Sequence, residues 1–255
     1  MKKLLMLLIV SVFLVACGNE SDASTKESDE QSEETTSAKN DKQEDLQVEV
    51  KNSFYKKYHE ESFSMDQLGI YAELKNNTDK FVTLIDVEVS LYDKDDNIIS
   101  VLNDESVDNK MFAPEVITKN GTTYMAIQLD YEDKYDDIDN IEIKYDVEEV
   151  NEFAYNDMET DKVNVTKGER DNLDITMKVS NANDEDLDYE LGIGFYDKDD
   201  KFLGSVITYD YDDVSRLVKA NDDKNIEINE SLDIDMDKVD RTEVIASGYL
   251  PEFED

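Results

Sequence analysis

Ile70 to Val101 reads IYAELKNNTDKFVTLIDVEVSLYDKDDNIISV. Ile70, Ala72 and Leu74 alternate with Tyr71, Glu73 and Lys75, and Ile85, Val87, Val89 and Leu91 alternate with Asp86, Glu88, Ser90 and Tyr92. A period of two places each apolar set on one face of a half-buried strand. An Asn-rich turn joins the two runs, and the second run ends in Tyr92-Asp93-Lys94-Asp95-Asp96. The stretch therefore predicts strand, turn, long strand, turn, with one face turned inward.

The same arrangement recurs as DITMKVSNANDEDLDYELGIGFYDKDDKFLGS from Asp174 to Ser205. Here Ile175, Met177 and Val179 share one face, and Tyr189, Leu191, Ile193 and Phe195 share the next. Both first strands end in Asn (Asn76, Asn181), and both second strands end in YDKDD. Leu91 aligns with Phe195 at a spacing of 104 and Leu74 with Val179 at 105, so the first turn differs by one residue, which a surface turn absorbs.

Further strands are expected at Leu46 to Val50, Ile98 to Leu102, Tyr124 to Leu129 and Ile141 to Val147. In the second half they fall at Phe202 to Thr208, Asn225 to Ile228 and Glu243 to Tyr249. No window shows a capped apolar stripe of helical period. Six or seven short strands per hundred residues, twice over, predict an all-β chain of two tandem immunoglobulin-like antiparallel β-sandwiches, residues 46–150 and 151–255. Each is long enough to bury a core without disulfides.

"VSLYDKDDNII" (Val89 to Ile99) and "IGFYDKDDKFL" (Ile193 to Leu203) resemble the signature of the FxLYD domain, a small immunoglobulin-like sandwich common in Gram-positive lipoproteins. In the first copy Val89 takes the family's Phe position while Leu91, Tyr92 and Asp93 match. In the second, Ile193 and Phe195 replace Phe and Leu while Tyr196 and Asp197 match. The resemblance covers about 30 residues per copy. It implies a fold and an extracytoplasmic location; the family carries no established enzymatic activity or ligand, so the resemblance leaves function open.

The chain begins MKKLLMLLIVSVFLVACGNES. Two lysines, an apolar run from Leu4 to Ala16 and a small residue before Cys17 describe a secretory signal peptide, residues 1–16. The run of roughly 13 residues is shorter than the roughly 20 a spanning helix needs. Leu14-Val15-Ala16-Cys17 resembles the lipobox of bacterial lipoproteins, which implies that the Cys17 thiol receives a diacylglyceryl group and becomes the mature N-terminus. Acyl anchoring of about 0.8 kcal/mol per buried CH₂ holds stably with two chains. With one cysteine in the chain, no intramolecular disulfide is possible.

From Gly18 to Asp45 the only aliphatic side chains are Ala23 and Ala38, so this segment cannot bury enough apolar surface to offset its ordering entropy. It reads as an acidic tether, residues 17–45 with the lipidated Cys17, spanning about 30 Å root-mean-square. The 65 Asp+Glu against 26 Lys+Arg give a net charge of -39, which removal of Lys2 and Lys3 makes two units more negative. Such a field repels nucleic acid and anionic headgroups; it attracts divalent metals, cationic peptides and basic protein faces.

The acidic pentad has two readings. As a calcium loop, Asp93, Asp95 and Asn97 fit positions one, three and five, but Ile98 stands where Gly belongs and Asp104 where the bidentate Glu belongs. In the second copy Lys201 takes a ligand position. As a turn, Asp and Asn hydrogen-bond their own backbone and tolerate positive φ, although the FxLYD resemblance implies Gly near Asp96 and Asp200. The turn reading is preferred, with Tyr92 and Tyr196 on the outward face beside it. For catalysis the sequence offers little. His59 is the one histidine, in the polar segment KKYHEES, and no C-x-x-C, glycine-rich phosphate loop or H-E-x-x-H occurs. The expected function is a non-catalytic, cofactor-free membrane-anchored surface lipoprotein presenting two sandwiches to a protein or cell-wall partner. The alternative is a cation-handling protein that binds divalent metal or cationic peptides through acidic loops.

Overall fold

A computed structural model describes residues 47–60, 64–103, 106–107, 111–151, 155–168, 172–208, 216–230 and 234–250. Cys17, with its expected lipidation, lies outside the described residues, as does the tether. The structure is nearly all β; among the described residues the pairing is antiparallel throughout and two short 3₁₀ turns occur, Asp133–Asp137 and Met236–Lys238. The described residues, 47–250, belong to one compact unit.

The first repeat is built from β1 (Val48–Glu60), β2 (Met65–Asn76), β3 (Val82–Asp93), β4 (Ile98–Asn103), β5 (Phe112–Ala113), β6 (Thr122–Asp130) and β7 (Ile138–Glu149). One sheet runs β1-β2-β6-β5 and the facing sheet β4-β3-β7. This order matches the A-B-E-D and C′-C-F arrangement of an immunoglobulin-type sandwich without its last strand. The second repeat contributes β8 (Asn156–Asp157), β9 (Glu159–Lys167), β10 (Leu173–Asn181), β11 (Leu187–Tyr196), β12 (Phe202–Ile207), β13 (Leu217–Val218), β14 (Asp222–Glu230) and β15 (Arg241–Tyr249). Its sheets, β14-β10-β9 and β12-β11-β15-β8, repeat the first topology apart from β5, which has no counterpart among the described residues; β8 is added beside β15, and β13 pairs with β11 where the first repeat has a bridge from Ile117 to Val82.

Alternation explains the cores. Leu68, Ile70, Ala72 and Leu74 of β2 meet Val87, Val89 and Leu91 of β3 in the first; Leu173, Ile175, Met177 and Val179 of β10 meet Tyr189, Leu191, Ile193 and Phe195 of β11 in the second. One expectation needs correction. The register of β3 slips between Ile85 and Glu88, where Asp86 takes a positive φ of 51°. This bulge inserts a residue and reverses the phase of the pleat, so Leu84 is buried in place of Ile85, which is half-buried.

Each core is closed by one buried asparagine at equivalent positions. The Asn76 amide donates to the Lys80 and Thr118 carbonyls (2.8 and 2.9 Å) while its oxygen accepts from the Thr78 N–H and hydroxyl. Asn181 repeats this on the Glu185 and Val218 carbonyls and the Asn183 N–H. The amide has two donors and an acceptor with two lone pairs, which suits it to backbone groups that no ladder satisfies. At the open side of the first sandwich two tyrosines cross between edge strands. Tyr55 of β1 donates to the Ile138 carbonyl of β7 (2.5 Å), and Tyr145 of β7 donates to the Val48 carbonyl of β1 (3.0 Å).

Candidate functional site

The paired YDKDD segments form the same turn twice. In the first, the Asp93 N–H donates to the Asn97 carbonyl (2.9 Å), and the Asp93 Oδ1 accepts from the N–H groups of Asp95 (2.8 Å) and Asn97 (2.9 Å). In the second, Asp197 does the same with Lys201 (3.0 Å), and its Oδ1 accepts from Asp199 (2.8 Å) and Lys201 (2.9 Å). The fourth residue is left-handed in both, Asp96 at φ 62° and Asp200 at φ 58°. The carboxyls of Asp93 and Asp197 are held below the usual carboxylate range, Asp93 chiefly by the Asn97 amide and Asp197 chiefly by the Lys201 N–H. The weak cation candidates Asp93, Asp95 and Asn97 are thus brought together, but through a hydrogen-bonded turn: the Asn97 amide also donates to Asp93 Oδ2 (2.9 Å). Among the described residues, no three Asp, Glu, His or Cys side chains form a group able to hold a metal ion.

The two signature tyrosines part company. Tyr92 is half-buried and donates to exposed Glu142 (2.8 Å). Tyr196 also points away from its own sandwich, yet it is only 2% exposed, because the first sandwich covers it. There its hydroxyl pairs with that of Tyr124 at 2.9 Å, and burial drives both phenols upward, out of reach of physiological pH. The Arg241 guanidinium stacks on the outer side of the Tyr196 ring, 3.8 Å from its centroid, and bonds Asp200 of the turn.

This contact belongs to a continuous seam. The outer face of β1-β2-β6-β5 lies on the outer face of β12-β11-β15, so β11 is buried on both sides. Tyr71, Tyr124 and Ala126 of the first sandwich join the core of the second. Tyr124 stacks on Phe202 (centroids 6.1 Å apart, planes at 10°), and Phe54 meets Phe202 edge-on at 5.9 Å. Polar groups in the seam are matched: Ser205 Oγ donates to the Met125 carbonyl (2.7 Å), and the buried Glu190 carboxylate accepts from the Glu115 N–H (3.0 Å). Close approach depends on two glycines on the outward face of β11. A Cβ on Gly194 would stand 2.5 Å from Tyr124 Cε1 and Cζ, and one on Gly192 would collide with the Ala113 carbonyl.

Sequence reasoning missed this seam. The available signal was Gly192 and Gly194 at strand positions where the first repeat has Glu88 and Ser90, since glycine inside a strand marks close approach of another group. The polar run Lys51 to Glu60 was likewise unassigned; it continues β1 with Phe54 turned to the seam. His59 sits at the exposed end of that strand, its Nδ1 2.7 Å from Asp66 Oδ1. A shallow cleft of about 480 Å³ opens where the chain leaves the first sandwich, lined by Asp79, Lys80, Phe81, Lys119 and Glu149. Phe81 packs against Tyr155 there (5.7 Å), and Lys80 pairs with Glu149 (3.1 Å).

Fold and seam define the class: an all-β chain of two duplicated sandwiches packed into one body. No protein-family model matches the chain, and no curated protein matches it by sequence.

Proposed function

We propose that the chain is a non-catalytic surface lipoprotein, held by a diacylglyceryl anchor on Cys17, that presents its paired sandwiches for protein or cell-envelope contact. The observation that carries this reading is the seam. Two sandwiches joined through buried aromatic contacts and matched polar groups behave as a single presented body, whereas interfaces between freely moving domains are more polar and loosely filled. The strongly perturbed tyrosines are consumed by that packing. The repeated turns spend their carboxylates on their own backbone. The sequence resemblance of Val89 to Ile99 and Ile193 to Leu203 to the FxLYD signature supports this reading.

The anchor is tested by feeding an alkyne-tagged palmitate to bacteria that express the chain. The wild-type protein takes up the label and fractionates with membranes, and Cys17→Ala loses the label and moves to the medium or soluble fraction. A Cys17→Ala protein that keeps its label overturns the anchor.

A further inference from the structure

The duplication allows one surface to be read against its counterpart. On β12-β11-β15, cross-strand partners place Phe202, Tyr196 and Arg241 in one row, Ser205, Gly194 and Glu243 in the next, and Ile207, Gly192 and Ile245 in the third. On β4-β3-β7 the equivalent rows are Ile98, Tyr92 and Asn140; Val101, Ser90 and Glu142; Asn103, Glu88 and Lys144. The first set is covered by a neighbouring sandwich. No sandwich covers the second set; Ser90 is buried and Tyr92 half-buried among their neighbours, and the set holds two of the five large apolar side chains exposed among the described residues, Ile98 at 60% and Val101 at 39%.

We propose that this open β4-β3-β7 face docks a partner protein whose contact surface has an aromatic or aliphatic centre and a rim of Lys or Arg. The inference rests on the reading of the chain as a presenting module, and names its surface and partner. The apolar centre is Tyr92, Ile98 and Val101, adjacent across strands where facing side chains pack together. The rim is acidic: Glu88, Glu142, Asp95 and Asp96, with Lys144 bound to Glu142 at 3.0 Å. Charged rims steer partners by complementarity, and this rim selects cations. A second copy does not fit. The face of the chain that would be offered in register, β14-β10-β9, presents Asp174, Thr176, Glu227 and an Asp223 paired with Lys178, acid against acid. The surface that does cover a sandwich of this kind, around Tyr124 and Tyr71, is already used within the chain.

The test titrates the chain with a β-hairpin peptide carrying tryptophans on one face and lysines at its edges, followed by NMR amide shifts. Saturable shifts at Tyr92, Ile98 and Val101 are expected. Affinity should fall at least tenfold in Ile98→Glu and in Glu142→Lys, and stay within twofold in Thr176→Glu on the opposite sandwich. Ile98 and Glu142 are exposed, and an unchanged amide spectrum elsewhere verifies folding. Equal weakening by Thr176→Glu, shifts spread over both acidic faces, or no shifts overturn the assignment. So does broadening of Ile98 and Val101 with protein concentration alone, which marks a second copy as occupant. A photo-crosslinking residue at position 98 and another at 176, irradiated in cells, separates the two levels. Capture from 176 alone preserves a presenting module and removes this face.

Discussion

Gly194→Ala is the sharpest test of the seam. The added Cβ stands 2.5 Å from two ring carbons of Tyr124, against an ordinary carbon–carbon contact of about 3.5–4.0 Å, so ring and strand must separate by about 1 Å. The ring has no slack: it is fully buried, stacked on Phe202 and bonded through its hydroxyl to Tyr196. Overpacking of a filled interior costs about 1–3 kcal/mol, and loss of the phenol pair adds about 1 kcal/mol. An expected loss of about 3 kcal/mol, with a urea slope of about 2 kcal/mol/M, lowers the denaturation midpoint by about 1.5 M. Ser90→Ala at the equivalent position of the open face removes one bond to Glu88 and should lower stability by less than about 1 kcal/mol. Urea titration followed by circular dichroism reads both. If Gly194→Ala moves the midpoint no further than Ser90→Ala, the two sandwiches are not energetically joined at Tyr124.

Three other outcomes follow from the same geometry. Asn76→Ala leaves buried carbonyls and the Thr78 N–H unmatched, so a loss of about 2–4 kcal/mol is expected, with a similar loss for Asn181→Ala; thermal melts that separate the two sharply would contradict their equivalence. Asp96→Gly relieves a left-handed aspartate and should stabilise by about 0.5–1 kcal/mol, visible as a rise in Tm. Asp200→Gly should gain less, because it also gives up Arg241. The Glu230 carboxyl is pushed up to about 7 by burial and then by the Glu60 carboxylate, against about 4.3 for an ordinary glutamate. The folded chain then holds a proton that the unfolded chain releases, so this stability is complete below about pH 4.3 and is lost as pH rises through 7. Glu230→Gln should match wild type at low pH and exceed it at pH 8 in urea midpoint; a constant difference across that range argues against the shift.

The strands that alternate cleanly were legible because one face of each meets its own core. β10 and β11 buried the residues their period selects, and Asn76 and Asn181 marked both turns. Where a second influence acted, the period misled. At Asp86 a bulge reversed the pleat of β3. From Lys51 to Glu60, paired lysines and a histidine hid a strand whose even-numbered side holds Phe54 against the second sandwich. β9, Glu159–Lys167, is so polar on both faces that no alternation announces it. The outward placement of Tyr196 was correct relative to its own sandwich, but a sequence period says nothing about what lies on the outside of a sheet. Only the glycines at 192 and 194 registered that presence.

The two tyrosine bridges between β1 and β7 bear on how the body resists pulling. Any force transmitted along the chain before Gln47 enters the sandwich at β1, and the first bonds in its path are the Gln47 carbonyl to the Asn77 N–H and the Val48 carbonyl to the Tyr145 hydroxyl. Peeling β1 away therefore breaks a side-chain rivet on the facing sheet together with the first rungs of the ladder to β2. Tyr145 sits where tension would concentrate, and Tyr55 guards the same strand near its middle.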